Sequence, residues 1–441
     1  MNQASITAGQ ERLRQLEQQL EDARQGGRDG QLPELLVGLG KVHLDLGSAP
    51  QALTHFEQAI DLAQARGDRE AEARCLGLKA MALAQMGNTR QALNAWNKSG
   101  RLAELLKHAA LLCDAWTQRG LLLVETGDTA LGVHDLERAF GLALEHNDSL
   151  RQMSISGLLG GVFARLEAPQ QAHAHYAIAL DLAQKLRQPA AESSFLLSLG
   201  QLDLLQHERT PAAEHFAAAL QAARRAGDRF TELRALSRLL QASAQSGQAD
   251  QAAFYGEQAI RLANQLGESL AELGNLHVLA SFYLEQGGFE PAAGLLQRGL
   301  EIALQQPDRE WELKLRTQLG YAWFGLERYA EAGEQYSQAL AAAVGLNDPA
   351  AQVFLLGRLG AVTAEQGRTD EARRILQQAL AQAQQLADPR PAGELHMLLA
   401  FSARDTGQVE QAVYHAGQAV EIYSQSDEEL AQQARRLLAE L

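Results

Sequence analysis

The chain has 441 residues, of which 46% are hydrophobic and 21% are charged. This balance is typical of a soluble folded protein and excludes a wholly disordered chain. The formal net charge of −15 argues against a protein that binds the phosphate backbone of nucleic acids, because such proteins need a basic surface. We therefore expect no nucleic-acid partner.

The opening residues, MNQASITAGQ, lack the charged, apolar and small-residue zones of a secretory leader. No stretch approaches the run of about 18 apolar residues that a membrane-spanning helix needs. We therefore expect a cytoplasmic protein with no membrane partner. The two cysteines, Cys75 and Cys113, are too few for a disulfide framework, so we interpret both as buried structural thiols.

Residues 1–32 are predicted to contain a capping helix. The stretch 9–26, GQERLRQLEQQLEDARQG, carries Leu16, Leu20 and Ala23 at helical spacing. These three residues fall where the second helix of the repeat described next carries its core positions. We interpret the segment as half a repeat that caps the first hairpin.

From Pro33 to residue 432 the chain repeats every 40 residues, in ten rows without a gap. The seventh position of a row is Leu in eight rows, and the eighth is a small residue in nine, with Leu240 as the exception. The twentieth position is Ala in nine rows. Small residues at fixed places indicate two helices that approach too closely for larger side chains. Each row is therefore predicted to form a helical hairpin.

Turn signals divide each row into two helices. Prolines lie only at the start of a predicted helix or between rows, as Pro307 does. A glycine at the fifteenth position of seven rows suits the left-handed residue that ends a helix. These glycines are Gly47, Gly87, Gly127, Gly247, Gly287, Gly367 and Gly407. An acid at the thirty-sixth position of eight rows is expected to cap the next helix. These acids are Asp68, Asp148, Asp228, Glu268, Asp308, Asp348, Asp388 and Glu428.

Two patterns in the rows resemble the tetratricopeptide repeat. The first helix pairs Leu with a small residue, and the second has the pattern A-x-x-x-F-x-x-A, written here as QALTHFEQA (51–59) and EAGEQYSQA (331–339). Rows six and ten depart from this pattern, because Gly256 and Ala416 stand in the aromatic place. In the rows that keep it, the aromatic residue is Phe56, Trp96, Tyr176, Phe216 or Tyr336.

The 40-residue unit is similar to the extended repeats of kinesin light chains, of spindle-orientation adaptors and of bacterial regulators with helical-repeat domains. The resemblance implies an all-α fold: a right-handed α-solenoid of about ten helical hairpins in residues 33–432, with helical caps. Residues 429–441, ELAQQARRLLAEL, resemble one more first helix. Its Glu440 stands at the small position, so another hairpin could not stack closely there and the helix would be a C-terminal cap.

No pattern in the chain indicates a catalytic, metal or cofactor site. Four of the twelve histidines share one row position, so a solenoid would spread them along a ridge rather than gather them round an ion. These are His55, His175, His215 and His415. No H-E-x-x-H, C-x-x-C, G-x-S-x-G or phosphate-loop motif occurs. We therefore expect no enzyme activity, no bound metal and no cofactor.

In the tetratricopeptide-repeat family, first-helix positions 2, 5, 9, 12 and 13 face a concave groove, and the resemblance transfers these positions to this chain. The early rows then line the groove with polar residues, including Lys41 and Arg74, and the late rows with large apolar residues, among which His277 and Arg404 stand. The apolar residues are Leu284, Tyr321, Phe324, Phe354, Met397 and Phe401. We expect Tyr321, Phe354 and Phe401 to be exposed, whereas Leu284 and Phe324 could equally be buried between neighbouring first helices.

Three classes of function follow from this pattern. The first is an interaction scaffold or adaptor that binds a peptide or helical segment of a protein partner, which we favour because every repeated position serves stacking and only the groove varies. The second is a regulator that responds to a peptide or small ligand. The peptide-pheromone receptors that this chain resembles hold a peptide backbone with Asn side chains, and the groove positions contain no Asn. The third, an enzyme, lacks the closed pocket that catalysis favours. Nothing in the sequence indicates the oligomeric state.

Overall fold

The computed structural model describes residues 3–305, 308–424 and 426–441, and Pro307 lies outside the described residues. Within these ranges every regular element is helical, so the expected all-α fold of helical hairpins is confirmed. The chain divides into two compact units, Met1–Asp228 and Arg229–Leu441.

The first unit consists of a leading helix followed by five hairpins. The leading helix, α1 (Gln3–Gln25), precedes a short 3-10 turn at Asp29–Gln31. Each helix contacts the next along the chain, so the unit is an α-solenoid. The hairpin helices are α2 (Leu32–Asp45), α3 (Ala49–Ala65), α4 (Arg69–Gln85), α5 (Thr89–Leu105), α6 (Ala109–Glu125), α7 (Thr129–Glu145), α8 (Ser149–Arg165), α9 (Pro169–Lys185), α10 (Pro189–Leu205) and α11 (Arg209–Ala226).

The second unit consists of five further hairpins and a closing helix, again with each helix packed on the next. Its helices are α12 (Arg229–Gln245), α13 (Ala249–Leu266), α14 (Ser269–Glu285), α15 (Phe289–Gln305), α16 (Arg309–Gly325), α17 (Tyr329–Gly345), α18 (Pro349–Glu365), α19 (Thr369–Ala383), α20 (Arg390–Asp405), α21 (Val409–Ser424) and α22 (Glu428–Glu440). Even-numbered helices from α2 to α20 are the first helices of their hairpins, and odd-numbered helices from α3 to α21 are the second. That the ten hairpins form one uninterrupted run stays a prediction.

The helix ends repeat every 20 residues rather than every 40. Gly87 is left-handed, with φ of 75°, and the amide of Asn88 donates to the Leu83 carbonyl at 2.9 Å, which is the Schellman arrangement that ends a helix. The glycines expected to be left-handed at the fifteenth row position all are. Most turns between rows use the same conformation, often without glycine, as at Lys107, Asn147 and Arg187. Both turns of a row are therefore built alike.

Glycines of the first helix pack against aromatic rings of the second helix in the same hairpin. A Cβ atom on Gly160 would lie 2.7 Å from the Tyr176 ring, and one on Gly200 would lie 2.6 Å from the Phe216 ring. Gly40 faces Phe56 in the same way, and Gly320 faces Tyr336. The close helix approach predicted from the small residues is thus confirmed. Its physical reason is the ring that fills the space a side chain would need.

Row six reverses this pairing of sizes. It has Leu240 where other rows have a small residue and Gly256 where most have a large one, and both residues are buried. A Cβ atom on Gly256 would lie 3.1 Å from Cδ1 of Leu240 and 3.0 Å from Cδ2 of Leu279. The two departures from the repeat therefore compensate each other within one hairpin.

Some of the acids that were expected to cap helices do so, and others do not. The carboxylate of Asp148 accepts from the Arg151 amide at 3.0 Å, and Asp68, Asp308 and Asp348 cap their helices in the same manner. The prediction is wrong for two residues. The side chain of Glu268 makes no capping bond. Glu428 lies inside α22, because Asp427 caps that helix instead; an aspartate reaches the first amides at shorter range than a glutamate.

The end helices bury the residues expected of caps. In α1, Leu20 and Ala23 are buried, and Leu16 packs against the same cluster. In α22, Leu437 packs with Ala400 and Ala416 of the last hairpin. That each end helix caps the repeats as half a repeat stays a prediction.

Both cysteines are free and buried, as expected. Burial raises the pKa of the Cys75 thiol, and burial followed by the nearby charge of Asp114 raises the pKa of Cys113 to about 11. The Cys113 thiol donates to the Ala139 carbonyl at 3.4 Å. A protonated, buried thiol is inert, so both residues are packing residues.

Candidate functional site

Several pairs of first helices in neighbouring hairpins contact each other directly. In the first unit α2 contacts α4 and α4 contacts α6; in the second unit α12 contacts α14, α14 contacts α16, and α18 contacts α20. The side chains of these helices that point away from their own second helices therefore form one surface. We call this surface the first-helix face of each unit, and it contains the groove positions expected from the sequence.

Three aromatic side chains are exposed on the first-helix face of the second unit. Tyr321 on α16 is 45% exposed, Phe354 on α18 is 40% exposed, and Phe401 on α20 is 37% exposed. The exposure expected for these residues is therefore confirmed. Other rings of the chain are more exposed, as Phe254 and Tyr414 are at 60%, so a role of these three rings in binding stays a prediction.

The three rings are held by neighbouring side chains. The Arg358 guanidinium lies over the Phe354 ring at 4.7 Å from its centre, and Arg404 lies over Phe401 at 5.1 Å. Tyr321 meets the Phe289 ring edge-on, at 5.9 Å between centres. Such contacts contribute on the order of 0.5–1 kcal/mol each at exposed sites. They limit the motion of the rings, so less conformational entropy would be lost on binding.

The other three apolar residues expected in the groove are less accessible. Leu284 is 8% exposed and packs in a core cluster with Ala280 and Leu296. The interpretation of Leu284 as a groove residue is therefore corrected: the hairpin buries it. Phe324 is half-buried against Tyr329, and Met397 is half-buried against the closing helix.

His277 lies at the centre of a hydrogen-bonded group between α14 and α16. Its Nδ1 is 2.8 Å from Oε1 of Gln318, whose Nε2 donates to Oγ of Ser281 at 2.8 Å. The ring also meets Trp311 edge-on. Burial lowers the pKa of His277, the Gln318 bond opposes that shift, and Lys314 adds to it. His277 is therefore neutral at neutral pH and links two first helices.

Lys41 and Arg74 are exposed on the first-helix face of the first unit. They stand at one side of a cavity of about 570 Å³ between α2, α4, α6 and α8. Its wall is largely apolar, and it reaches the buried Trp96 of α5. The apolar lining residues include Leu78, Met81, Leu111, Leu150, Ile155 and Leu158.

Sequence reasoning missed this cavity, because it treated the early rows as a polar lining. The apolar wall comes partly from Leu111 and Leu150, which precede the transferred groove positions, and from Trp96 on a second helix. Gly77, a small residue at the fifth position of row two, also lines the cavity. Because glycine has no side chain to fill the space beside it, Gly77 is the residue from which the cavity could have been predicted.

Three charged residues form a bonded group at the cavity, whose lining includes Arg151 and Asp114. Nε of Arg151 donates to Asp114 at 2.9 Å, and Nη1 donates to Asp148 at 2.6 Å. These bonds raise the pKa of Arg151 and lower the pKa of Asp148. The arginine is therefore fixed in place by two carboxylates.

The four histidines that share a row position each face their own first helix. The His415 and His396 Nδ1 atoms are 2.9 Å apart, and the His55 ring stacks on His43 with 5.4 Å between centres. His175 has its Nδ1 3.3 Å from Oγ of Ser156, and His215 has its Nδ1 2.6 Å from Oδ2 of Asp203. The contacts lie within separate hairpins. No three or more His, Cys, Asp or Glu side chains in the described ranges are grouped so that they could hold a metal ion.

Among the described helices, none combines the length and the apolar character that crossing a bilayer requires. The family model of the tetratricopeptide repeat matches residues 31–104 and 350–425. No curated protein matches the chain in sequence.

Solved structures with helical repeats are similar to this chain. The apo form of RapI is 14% identical, with a TM-score of 0.53 over 75% of this chain and 97% of that protein. BtubC (BKLC) from P. vanneervenii is 20% identical over 48% of this chain and 89% of its own, with a TM-score of 0.42. The apo quorum sensor NprR from B. thuringiensis is 14% identical over 77% and 99%, with a TM-score of 0.41. At such identities the likeness to RapI shows the fold alone, and the other two scores are too low to support more.

Proposed function

Because this chain is a tetratricopeptide-repeat protein, we propose that it is an interaction scaffold or adaptor that binds a peptide or helical segment of a protein partner. The binding surface in this proposal is the first-helix face of the second unit. The repeat itself specifies only stacking, so the specificity would come from the residues that vary on this face.

The observation that carries the proposal is the set of exposed rings on three successive first helices, Tyr321, Phe354 and Phe401. A binding interface concentrates its energy in a few aromatic and arginine residues, typically at 2 kcal/mol or more for each hot spot. Two of these rings lie under an arginine, Arg358 or Arg404. Both kinds of residue that dominate interfaces are therefore present and preorganised.

A regulator that responds to a peptide or small ligand is the second candidate, and the 570 Å³ cavity of the first unit favours it. Ligand pockets are commonly clefts of about 300–1,000 Å³ with apolar walls and a few polar groups. Here Lys41, Arg74 and the fixed Arg151 would supply the polar groups. Partners other than a protein or peptide are not part of the proposal, and a cytoplasmic location remains our expectation.

The proposal is tested with a displayed library of random 12-residue peptides selected on the full chain. Selected peptides are then labelled, and their dissociation constants are measured by fluorescence polarisation. Tyr321→Ala with Phe401→Ala should weaken binding by about a hundredfold or more, since two hot spots of about 2 kcal/mol or more each would be lost.

Phe254→Ala with Tyr414→Ala is the matched control. Both residues are aromatic and 60% exposed, but they lie on the second helices α13 and α21. The control should bind as the unmodified chain does. Equal losses in both variants, or failure to select any peptide, would count against docking on the first-helix face.

A further inference from the structure

We propose that the cavity of the first unit binds an uncharged, mainly apolar small molecule. This inference rests on the second candidate function, because it names the class of ligand that the cavity would take, and it is independent of peptide docking on the second unit. The cavity has a volume of about 570 Å³, which lies within the range of common ligand pockets, about 300–1,000 Å³. The chemistry of its wall determines which kind of molecule fits.

Apolar side chains from α4, α5, α6 and α8 form most of the wall. The Trp96 ring at the cavity is only 4% exposed, but Met81 is 39% exposed and Leu150 is 56% exposed. The helices α4 and α6 contact each other directly, while α6 and α8 approach less closely. A ligand between them would remove Met81 and Leu150 from water, and the burial of apolar surface is the main driving force for such binding.

The hydroxyl groups in the wall already donate hydrogen bonds within the protein. Ser99 donates to a carbonyl of α4 at 2.7 Å. Thr117 and Ser154 each donate to the carbonyl one turn earlier in their own helices, at 2.8 Å and 3.0 Å. Gln118 also lines the cavity, and its side-chain amide has no hydrogen-bond partner among the residues that the structure describes. A ligand with one uncharged polar group, such as a hydroxyl or a carbonyl, would satisfy this amide.

The charged groups at the cavity compensate one another. Arg74 pairs with Glu70 at 2.6 Å, and Arg151 bonds Asp114 and a second carboxylate at 2.9 Å and 2.6 Å. Lys41, the third cation of the lining, is exposed to water. These three cations and three carboxylates sum to zero. A charged ligand would lose its hydration without an excess of opposite charge in return, and an uncharged ligand avoids that cost.

The same wall is a poor partner for a peptide. Each residue of a peptide, proline excepted, brings one backbone N–H donor and one C=O acceptor. A backbone group that is buried without a hydrogen bond opposes binding. The protons of the wall hydroxyls are used within the protein, and the amide of Gln118 cannot satisfy a segment of several residues. A small molecule with few polar atoms therefore fits better.

The test uses two fluorescent probes that share one ring system. N-phenyl-1-naphthylamine is uncharged, and 8-anilinonaphthalene-1-sulfonate is the same molecule with an added sulfonate group. Both become brighter in apolar surroundings, so titration of the full chain with each probe gives its dissociation constant. The uncharged probe should bind at least about tenfold more tightly than the sulfonate, because the cavity would not repay the lost hydration of the ion.

Two substitutions fill the cavity with a phenyl ring. A Cβ atom on Gly77 would have Oγ of Ser99 as its nearest neighbour, at an ordinary contact distance of 3.6 Å, and Ser154 is an exposed residue of the wall. Gly77→Phe and Ser154→Phe should each weaken binding of the uncharged probe at least about tenfold. Gly141→Phe is the matched control, since Gly141 lies within α7 of the same unit and has no atom within 4 Å of its missing Cβ. The control should bind within about twofold of the unmodified chain, and melting curves show that each variant is folded.

The remaining outcomes contradict the inference in different ways. Equal or tighter binding of the sulfonate would overturn the uncharged class and leave the cavity as a site for an anion. An equal loss in all three variants, or no loss in the two wall variants, would place the probe elsewhere and overturn the cavity as its site. If neither probe binds, the inference is overturned and the second candidate function loses the cavity as its support. Peptide selection is measured separately, so docking on the second unit is judged by its own result.

Discussion

A Cβ atom on Gly320 would lie 2.6 Å from Cε1 of Tyr336, whose ring is fully buried between α16 and the helices that follow. Distances under 3 Å between such atoms do not occur in real structures. The ring has no free space to move into, because a protein interior is close-packed. The approach of the two helices of this hairpin is therefore set by one pair of residues.

Gly320→Ala should lower the free energy of unfolding by about 1–3 kcal/mol through overpacking. This loss should appear although alanine is the better helix former by up to ~1 kcal/mol. Gly294→Ala is the matched control, since Gly294 also lies within a helix and has no atom near its missing Cβ. The control should stabilise the protein slightly. Urea unfolding followed by circular dichroism measures both, and a stable Gly320→Ala variant would contradict the tight approach.

Leu240 and Gly256 should show strong coupling in a double-mutant cycle. Gly256→Phe alone should overpack row six, and Leu240→Gly alone should leave a cavity that costs about 2–5 kcal/mol. The double variant recreates the arrangement of Gly200 and Phe216 in row five. It should therefore recover more than about 1 kcal/mol relative to the sum of the single changes. Additive losses in urea unfolding would show that the two departures are independent.

Alanine substitutions of Leu284 and Phe401 should have opposite relative effects on the free energy of unfolding and on peptide binding. Leu284→Ala removes a buried side chain and should lower the free energy of unfolding by about 2–5 kcal/mol. Phe401→Ala removes an exposed ring and should cost less than about 1 kcal/mol, mainly the contact with Arg404. In peptide binding the order should reverse, with Phe401→Ala the weaker binder. A large loss of stability in Phe401→Ala would mean that its ring belongs to the core.

The His396 and His415 pair should make stability depend on pH. Burial and the neighbouring His415 lower the pKa of His396 to about 4, and burial lowers the pKa of His415. The unfolded chain binds a proton on each histidine below about pH 6.5, whereas folded His396 resists its proton until about pH 4 and folded His415 also binds its proton at a lower pH than the unfolded chain does. Stability from this pair is therefore present above pH 6.5 and is lost as the pH falls from 6.5 towards 4.

His415→Gln should reduce the slope of stability against pH in that window, by up to ~1.4 kcal/mol per pH unit for each histidine that no longer resists protonation. His134→Gln changes an exposed histidine of α7 and serves as the control with an unchanged slope. Melting temperatures between pH 4 and pH 7 give the measurement. Identical slopes in the two variants would exclude the pair as a source of acid sensitivity.

The helices and hairpins could be predicted from the sequence because packing or backbone conformation restricts which residue can stand at each repeated position. A glycine that ends a helix, as Gly87 does, and a small residue under a ring, as Gly160 is, recur at the same position in several rows. The left-handed residues between rows left no such mark, since Lys107 and Asn147 adopt that conformation without being glycine. Their strain is small, and the hairpin contacts on either side impose it.

The candidate site was harder to predict, since it depends on which side chains share a surface across rows. Positions carried over from the repeat family identified the exposed Tyr321, Phe354 and Phe401. They failed for Leu284, because it is buried in the core cluster that contains Ala280 and Leu296.

The contact between Gly320 and Tyr336 has a consequence for how a repeat chain of this kind can be lengthened by duplication of its segments. Both partners of this contact lie within one 40-residue segment, so a duplicated copy of the segment inherits its own fit. The bond between His277 and Gln318 joins two different segments, and a copy inserted between them would separate it. Lengthening by duplication would thus preserve the fold at every step. It would also break contacts between segments and form new ones, and these contacts distinguish one part of the surface from another.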